Sequence, residues 1–208
     1  MRSRTSSQSF RRGARVALPL LAAVALLGPL AACGGSGGAA SPAPTPVATY
    51  AGTVISAASL TPGKRVPAPA GKAVLTLTGK ITATNKGGAL VLDQPTIEKM
   101  GVEQVRLYEP WTKQTMDFRG VWLEDLLAVA GVRPEATTLH LVALDDYSAD
   151  FAMADVKAGG IMLATRAGDG SAIPVSQGGP TRIVFMDGVA AGADPNEWVW
   201  SLKSIDLR

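Results

Sequence analysis

Hydrophobic and polar residues alternate over short stretches through most of the chain after residue 72, which is the pattern of β-strands with one buried face. The alternating or continuous apolar stretches predict strands at 74–78, 81–84, 89–92, 104–108, 137–144, 161–165, 182–186 and 202–207. The sequence Asn-Lys-Gly-Gly at 85–88 lies between two of these strands and favours a hairpin turn. An Asp-Gly pair at 169–170 indicates a second turn.

One stretch has the period of a helix. Its apolar residues recur on one helical face, and a glycine that suits a helix end follows them: Trp122, Leu123, Leu126, Leu127 and Ala130. A shorter helix is predicted at 95–100. Many strands with one substantial helix indicate an α+β fold that is mostly β, with few short helices. We place it in a single domain at 73–208, about 136 residues, which is long enough to bury a core.

The first 32 residues have a different pattern. Five arginines and no acidic residue occupy 1–16, and an apolar run follows at 17–32. The small residues directly before Cys33 are similar to the lipobox of bacterial lipoproteins. We therefore predict a lipoprotein signal peptide at 1–32 and lipidation of Cys33, with the exported protein anchored to the outer face of the cytoplasmic membrane or in the cell envelope. An ordinary signal peptide with an incidental cysteine is the alternative, and the export route, general or twin-arginine, stays open.

Residues 33–72 are rich in Gly, Ser, Ala and Pro, a composition that predicts a flexible linker between the lipidated cysteine and the domain. The pair Val54-Ile55 leaves open a short strand within it.

Composition and charge exclude several classes of protein. One Cys and one His exclude a disulfide framework, a zinc finger, an iron–sulfur cluster and a multi-histidine metal site. The whole chain has a formal net charge of +3, but removal of the predicted signal peptide takes five of its 20 basic residues. The remaining 15 face 17 acidic residues, a net charge of −2. Without a basic stripe, we expect no binding to nucleic acid.

The segment FRGVWLEDLL at 118–127 resembles a known family, the molybdopterin-binding domain of sulfite-oxidase-type oxidoreductases. There a similar segment opens the helix that follows the cofactor-ligating loop. Four further segments resemble that family in the same order: 145–153, 161–170, 177–184 and 200–207. The resemblance covers about 73–208 and implies the sulfite-oxidase-type fold.

The resemblance fails at the metal ligand. In the family a Cys about twelve residues before the Gly-Val pair supplies a thiolate to molybdenum, and here that position is Tyr108. The chain's one cysteine, Cys33, belongs to the lipobox. Because a phenol is a poor substitute for a soft thiolate donor, we expect no redox metal and no bound cofactor, with molybdopterin the one cofactor that the resemblance suggests.

The resemblance implies a ligand site around two residues. Arg182 would lie near the pterin, and Tyr147 would face the metal position. A guanidinium binds phosphates and carboxylates, and Gly178 and Gly179 would let a ligand approach the backbone. The alternatives are that Arg182 pairs with an acid at the edge of the core, such as Asp187, and that Tyr147 caps the sheet.

Tyr108 and Trp111 lie in the loop that would house the ligand, where they would wall an aromatic pocket or simply pack over a sheet edge. We therefore predict an envelope lipoprotein with a non-redox binding module for a small anionic or pterin-like ligand or a partner protein. The alternatives are a molybdopterin-dependent oxidoreductase with a metal ligand other than Cys, and a purely structural lipoprotein.

Overall fold

The computed structural model describes residues 50–208. The predicted signal peptide, Cys33 and the first part of the predicted linker lie outside the described residues. Between residues 50 and 208 no helix is long and apolar enough to cross a membrane.

Ten strands and three short α-helices make up this part of the chain. The strands are β1 (Thr53–Ser56), β2 (Ala73–Gly79), β3 (Leu90–Asp93), β4 (Val102–Glu109), β5 (Gln114–Trp122), β6 (Thr138–Ala143), β7 (Ser148–Ala152), β8 (Ile161–Ala167), β9 (Arg182–Phe185) and β10 (Leu202–Leu207). The helices are α1 (Gln94–Glu98), α2 (Leu123–Ala130) and α3 (Met153–Ala158). The predicted class, α+β and mostly β with few short helices, is confirmed.

The strands form two five-stranded sheets. The first has the order β1-β4-β5-β8-β9 and is antiparallel throughout. The second has the order β3-β2-β10-β6-β7, with β2 and β10 parallel and the other pairs antiparallel. Alternate residues of β6 are buried, as the sequence pattern predicts for a strand with one face in the core.

Helix α2 follows β5 without a break and buries one face in the core. Glu124 and Asp125 lie in its first turn, where negative charge complements the helix dipole. Gly131 ends it in the left-handed conformation, with φ of 64°. This is the helix that the sequence predicted, and the short helix predicted at 95–100 is present as α1.

The folded domain begins earlier than the sequence predicted. β1 pairs with β4, and Leu60 and Val66 are buried in the core. Asp93 accepts hydrogen bonds from the backbone N–H groups of Ala70 and Gly71. The predicted linker at 33–72 is therefore wrong for residues 50–72. These residues are held by a few isolated apolar contacts and backbone hydrogen bonds, which leave no periodic pattern in the sequence.

Three elements were missed and one was misplaced. β5, β7 and α3 were not predicted, because β5 begins with polar residues and the other two are five and six residues long. The predicted hairpin is formed by β2 and β3, with a bridge from Lys86 to Ala89 closing the turn. Residues 81–84 contribute only a single bridge, from Ile81 to Val132.

Candidate functional site

A buried ion pair joins the end of β4 to the start of β9. An Nη2 hydrogen of Arg182 is donated to Oε1 of Glu109 across 2.7 Å, and the two side chains are 2% and 0% exposed. The Nη1 group donates to the backbone oxygen of Gln177 at 3.1 Å. The guanidinium carbon lies 4.4 Å from the centre of the Trp200 ring and 5.3 Å from that of Phe118. Arg182 is therefore enclosed by its own protein.

The carboxylate of Glu109 stays charged in this setting. Burial acts to raise its pKa, but hydrogen bonds from the backbone N–H of Thr112 and from Arg182 outweigh that effect and hold the pKa below its usual value. Because Glu109 bonds both Thr112 and Arg182, it ties the loop between β4 and β5 to the interior.

This pairing changes the predicted role of Arg182. From the sequence, the guanidinium was predicted to meet an anionic ligand, with pairing to an acid such as Asp187 as the alternative. The structure shows an ion pair, but the partner is Glu109. Asp187 instead accepts a hydrogen bond from the backbone N–H of Tyr108 at 3.0 Å.

The two glycines before Arg182 also contact protein groups. Gly178 has φ of 85°, and a Cβ atom there would lie 2.8 Å from the Trp200 ring. A Cβ atom on Gly179 would collide with the backbone oxygen of Ile173. The close approach that these glycines permit is therefore made by the ring of Trp200 and the 173–174 backbone.

A pocket of about 350 Å³ is lined in part by Trp200, the ring that Arg182 contacts, and we call it the aromatic pocket. Three of the chain's four tryptophans and one tyrosine line it. Its lining residues are Trp111, Ala143, Asp145, Tyr147, Pro195, Asn196, Trp198 and Trp200.

One short 3-10 turn, Pro195–Glu197, fixes two of these rings. The hydroxyl of Tyr147 donates to the backbone oxygen of Asn196 at 2.8 Å. The indole N–H of Trp111 donates to the backbone oxygen of Pro195 at 3.1 Å. Asp194 caps the turn by accepting a hydrogen bond from the backbone N–H of Asn196. The polar ends of both side chains are thus anchored in the pocket wall.

The structure separates Tyr108 from the other predicted aromatic residues. Tyr108 is 49% exposed and lines a neighbouring hollow of about 370 Å³ with Phe185 and Asp187, while Trp111 and Tyr147 share the aromatic pocket. Tyr108 and Trp111 therefore line two different cavities. Trp198 lines both cavities and was missed, although the Trp-Val-Trp run at 198–200 was a signal that could have found it.

The surroundings of the aromatic pocket are negatively charged. Burial raises the pKa of Glu197, and Asp194, Asp150 and Asp155 raise it further. Burial also raises the pKa of the Tyr147 phenol, to which the charges of Glu197 and Asp194 add. The lining of the pocket includes Asp145 but no lysine or arginine. The negative electrostatic potential of these carboxylates favours a cation in the pocket and disfavours an anion.

The arrangement of the two sheets has a counterpart among solved structures. The crystal structure of the sulfane dehydrogenase SoxCD from Paracoccus pantotrophus matches 64% of this chain with a TM-score of 0.50 and 24% sequence identity. The chain spans 37% of that protein's length. The family model of the oxidoreductase molybdopterin binding domain matches residues 97–206, and the chain belongs to this family. Among curated proteins, none matches the sequence. The predicted family and fold are confirmed.

The residues of this chain do not fit the cofactor that the family name implies. The sequence resemblance places the phenol of Tyr108 where the family has a thiolate, and the one cysteine of the chain is Cys33. Arg182, the predicted contact for a pterin or phosphate, is neutralised by Glu109. Between residues 50 and 208 there is also no group of three or more His, Cys, Asp or Glu side chains arranged to hold a metal ion. The residues at this site therefore lack both a soft ligand for a metal ion and an unpaired cation for the phosphate of a cofactor.

Proposed function

We propose that this protein is a non-redox binding module built on the molybdopterin-binding fold. The observation that carries the proposal is the buried pair of Glu109 and Arg182. The guanidinium that the resemblance places near an anionic ligand is paired with a carboxylate of the same chain. The resemblance also places Tyr108 where the family has its metal ligand. The buried pair thus stabilises this part of the fold with groups of the chain itself.

The aromatic pocket is the binding site in this proposal. Its rings are anchored at their polar ends, so little side-chain entropy remains to be lost when a ligand or a partner's side chain enters. Its acidic surroundings argue against the small anion that the sequence suggested. The occupant is therefore a neutral or cationic small molecule or a partner group of that chemistry.

The location of the module is a second part of the proposal. The lipobox-like sequence before Cys33 supports an exported protein that is anchored by lipid to the cell envelope. We expect wild-type protein in the membrane fraction of the native host and a Cys33→Ala variant outside it. Recovery of both proteins in the same fraction would contradict lipidation at this residue.

Metal and pterin analysis tests the non-redox proposal. Protein purified from its native membranes should contain neither stoichiometric molybdenum nor the fluorescent oxidised pterin that is released on denaturation. One equivalent of molybdenum, or a Mo(V) paramagnetic signal, would overturn the proposal. It would favour instead a molybdopterin-dependent oxidoreductase with a non-Cys ligand.

A pair of variants shows whether any molybdenum found is bound at the family position. Tyr108→Phe removes the phenol oxygen, whereas Tyr108→Cys supplies the thiolate that relatives use. Under the proposal, wild type and Tyr108→Phe are both free of the metal. Loss of metal in Tyr108→Phe alone would identify the phenol as a ligand and refute the proposal.

A further inference from the structure

We infer that the aromatic pocket binds a small organic cation, of the class of methylated or alkylated ammonium groups. This inference rests on the proposed function, because it assigns an occupant to the same pocket. It is carried by the coincidence of four aromatic side chains, an acidic wall and the absence of basic residues from the pocket lining.

The rings form a site that is built before any ligand arrives. Trp111 and Tyr147 are both half-exposed, yet each has its polar end bonded to the backbone of the 195–197 turn. Trp198 is buried, and its indole N–H donates to the backbone oxygen of Gly192 at 2.9 Å. With the hydrogen-bonding ends of these three residues occupied, the pocket offers a ligand mainly aromatic surface. Aromatic ring faces attract cations through their quadrupoles.

The fourth ring of the pocket, Trp200, already interacts with a cation of the protein, Arg182. The Arg182 guanidinium lies 4.4 Å from the Trp200 ring centre, and its charge is balanced by Glu109. We therefore assign the contacts with an added cation mainly to Trp111 and Tyr147.

The charges around the pocket select the same class of ligand. Asp145 lines the pocket, and Asp194 and Glu197 belong to the segment that forms its wall. The nearby Lys203 is occupied by Asp146, whose Oδ1 it contacts at 2.5 Å. The local balance of charge is therefore negative beside rings that attract cations.

Size and hydration narrow the class further. A volume of about 350 Å³ is near the lower end for small-molecule sites, which run from about 300 to 1,000 Å³. An alkylated ammonium group presents apolar surface and a weakly hydrated charge. It therefore loses less hydration on entering an aromatic site than a compact inorganic cation does.

Titration of the full-length protein with three probes tests the inference. The probes are choline, its neutral carbon isostere with a tert-butyl group in place of trimethylammonium, and acetate. Calorimetry measures affinity, and tryptophan fluorescence reports the site, since three of the four tryptophans line it. We expect saturable binding of choline, at least about tenfold tighter than that of the isostere, and none of acetate.

Matched variants locate the binding. Trp111→Ala and Asp145→Asn should each weaken choline binding by about threefold to tenfold, whereas Tyr147→Phe, which keeps the ring, should weaken it less than Tyr147→Ala. Tyr108→Ala is the control, since this exposed tyrosine lies outside the pocket, and it should bind choline as wild type does. Circular dichroism checks that each variant is folded.

Several results would overturn the inference. These are no saturable choline binding, equal affinity for the neutral isostere, a preference for acetate, or equal losses in Trp111→Ala and Tyr108→Ala. Failure of the cation assignment can be distinguished from failure of the proposed function. Metal-free native protein that does not bind choline refutes only the cation assignment, whereas stoichiometric molybdenum refutes the non-redox module.

Discussion

Glu109 and Arg182 are separated by 73 residues in sequence and meet in the interior of the protein. They stand at the ends of β4 and β9, which are separated in the first sheet by β5 and β8. The pair thus links two strands that do not hydrogen-bond to each other. Through Thr112, Glu109 also holds the loop that carries Trp111, so the same two charges support the wall of the aromatic pocket.

Breaking this pair should strongly destabilise the protein. Arg182→Met leaves the Glu109 carboxylate buried without its cation, and we expect a loss of about 3–5 kcal/mol in the free energy of unfolding. The double variant Glu109→Gln/Arg182→Met should recover part of that loss, because no uncompensated charge remains. Urea denaturation followed by circular dichroism measures the free energy of unfolding of both variants.

The control for that experiment is an exposed ion pair in the first sheet. Arg106 donates to Asp117 at 3.3 Å, and its side chain is 70% exposed. Arg106→Ala should change stability by less than about 1 kcal/mol. If Arg182→Met were as mild as Arg106→Ala, the buried pair would have no special role in stability.

At the scale of elements, β5 is the strand that brings the family segment next to β8. The register between these two strands shifts between Arg119 and Gly120. A Cβ atom at Gly120 would collide with the backbone oxygen of Leu163 in β8. The glycine of the family segment is therefore explained by packing between strands, with no need of a ligand.

Gly120→Ala should destabilise the domain by about 1–3 kcal/mol, because the two backbones must move apart. Gly71→Ala is the matched control, since a Cβ atom there would lie 3.6 Å from Asp93, an ordinary contact. Thermal denaturation compares the two variants. Equal melting temperatures would show that the β5–β8 contact can relax at little cost.

The segment before β2 is part of the folded unit, and it can be tested as such. Leu60 is 7% exposed, so Leu60→Ala should cost about 2–4 kcal/mol of stability. Val54, in β1, is 64% exposed, and Val54→Ala should change stability by less than about 0.5 kcal/mol. Chemical denaturation measures the free energy of unfolding of the two variants. A Leu60→Ala variant as stable as wild type would restore the linker interpretation of this segment.

At the scale of the whole molecule, carboxyl groups with opposite pKa shifts set the response to pH. Burial is the largest cause of the raised pKa values of Glu124, Asp125 and Glu197, to which neighbouring acids add. Such groups destabilise the fold above their folded pKa values, so stability rises as pH falls through those values.

Hydrogen bonds to the ionised form hold the pKa low for a second set of carboxyl groups: Asp93, Glu109 and Asp206. These groups stabilise the folded protein above the pKa values they have in the unfolded chain, about 4, and their contribution to stability is lost at lower pH.

The free energy of unfolding should therefore be greatest between about pH 4 and neutrality. Urea denaturation at intervals from pH 3 to pH 8 measures the profile. Asp125→Asn should flatten the rise between neutral and mildly acidic pH, because it removes one group with a raised pKa. A stability that increases steadily from pH 5 to pH 8 would contradict the assigned shifts.

The sequence predicted the parts of the fold that have a local signal. Alternation predicted β6 and β10, and the helical repeat with its closing glycine predicted α2. It did not predict β7 or α3, which are too short for a period to be recognised. For the site, it named Tyr147 and Trp111 as candidates, but it grouped Trp111 with Tyr108 and left open whether Arg182 meets a ligand or pairs with an acid.

By itself, the sequence determined the secondary structure of its strongly patterned segments, the family and the absence of a thiolate from the globular part. Each depends on residue identity or on spacing within a few positions. Only the tertiary structure decided that Glu109 neutralises Arg182 and that Trp198 and Trp200 join Trp111 and Tyr147 around one pocket. Those groupings depend on which strand ends and loops meet in space, and local periodicity contains no record of such long-range pairings.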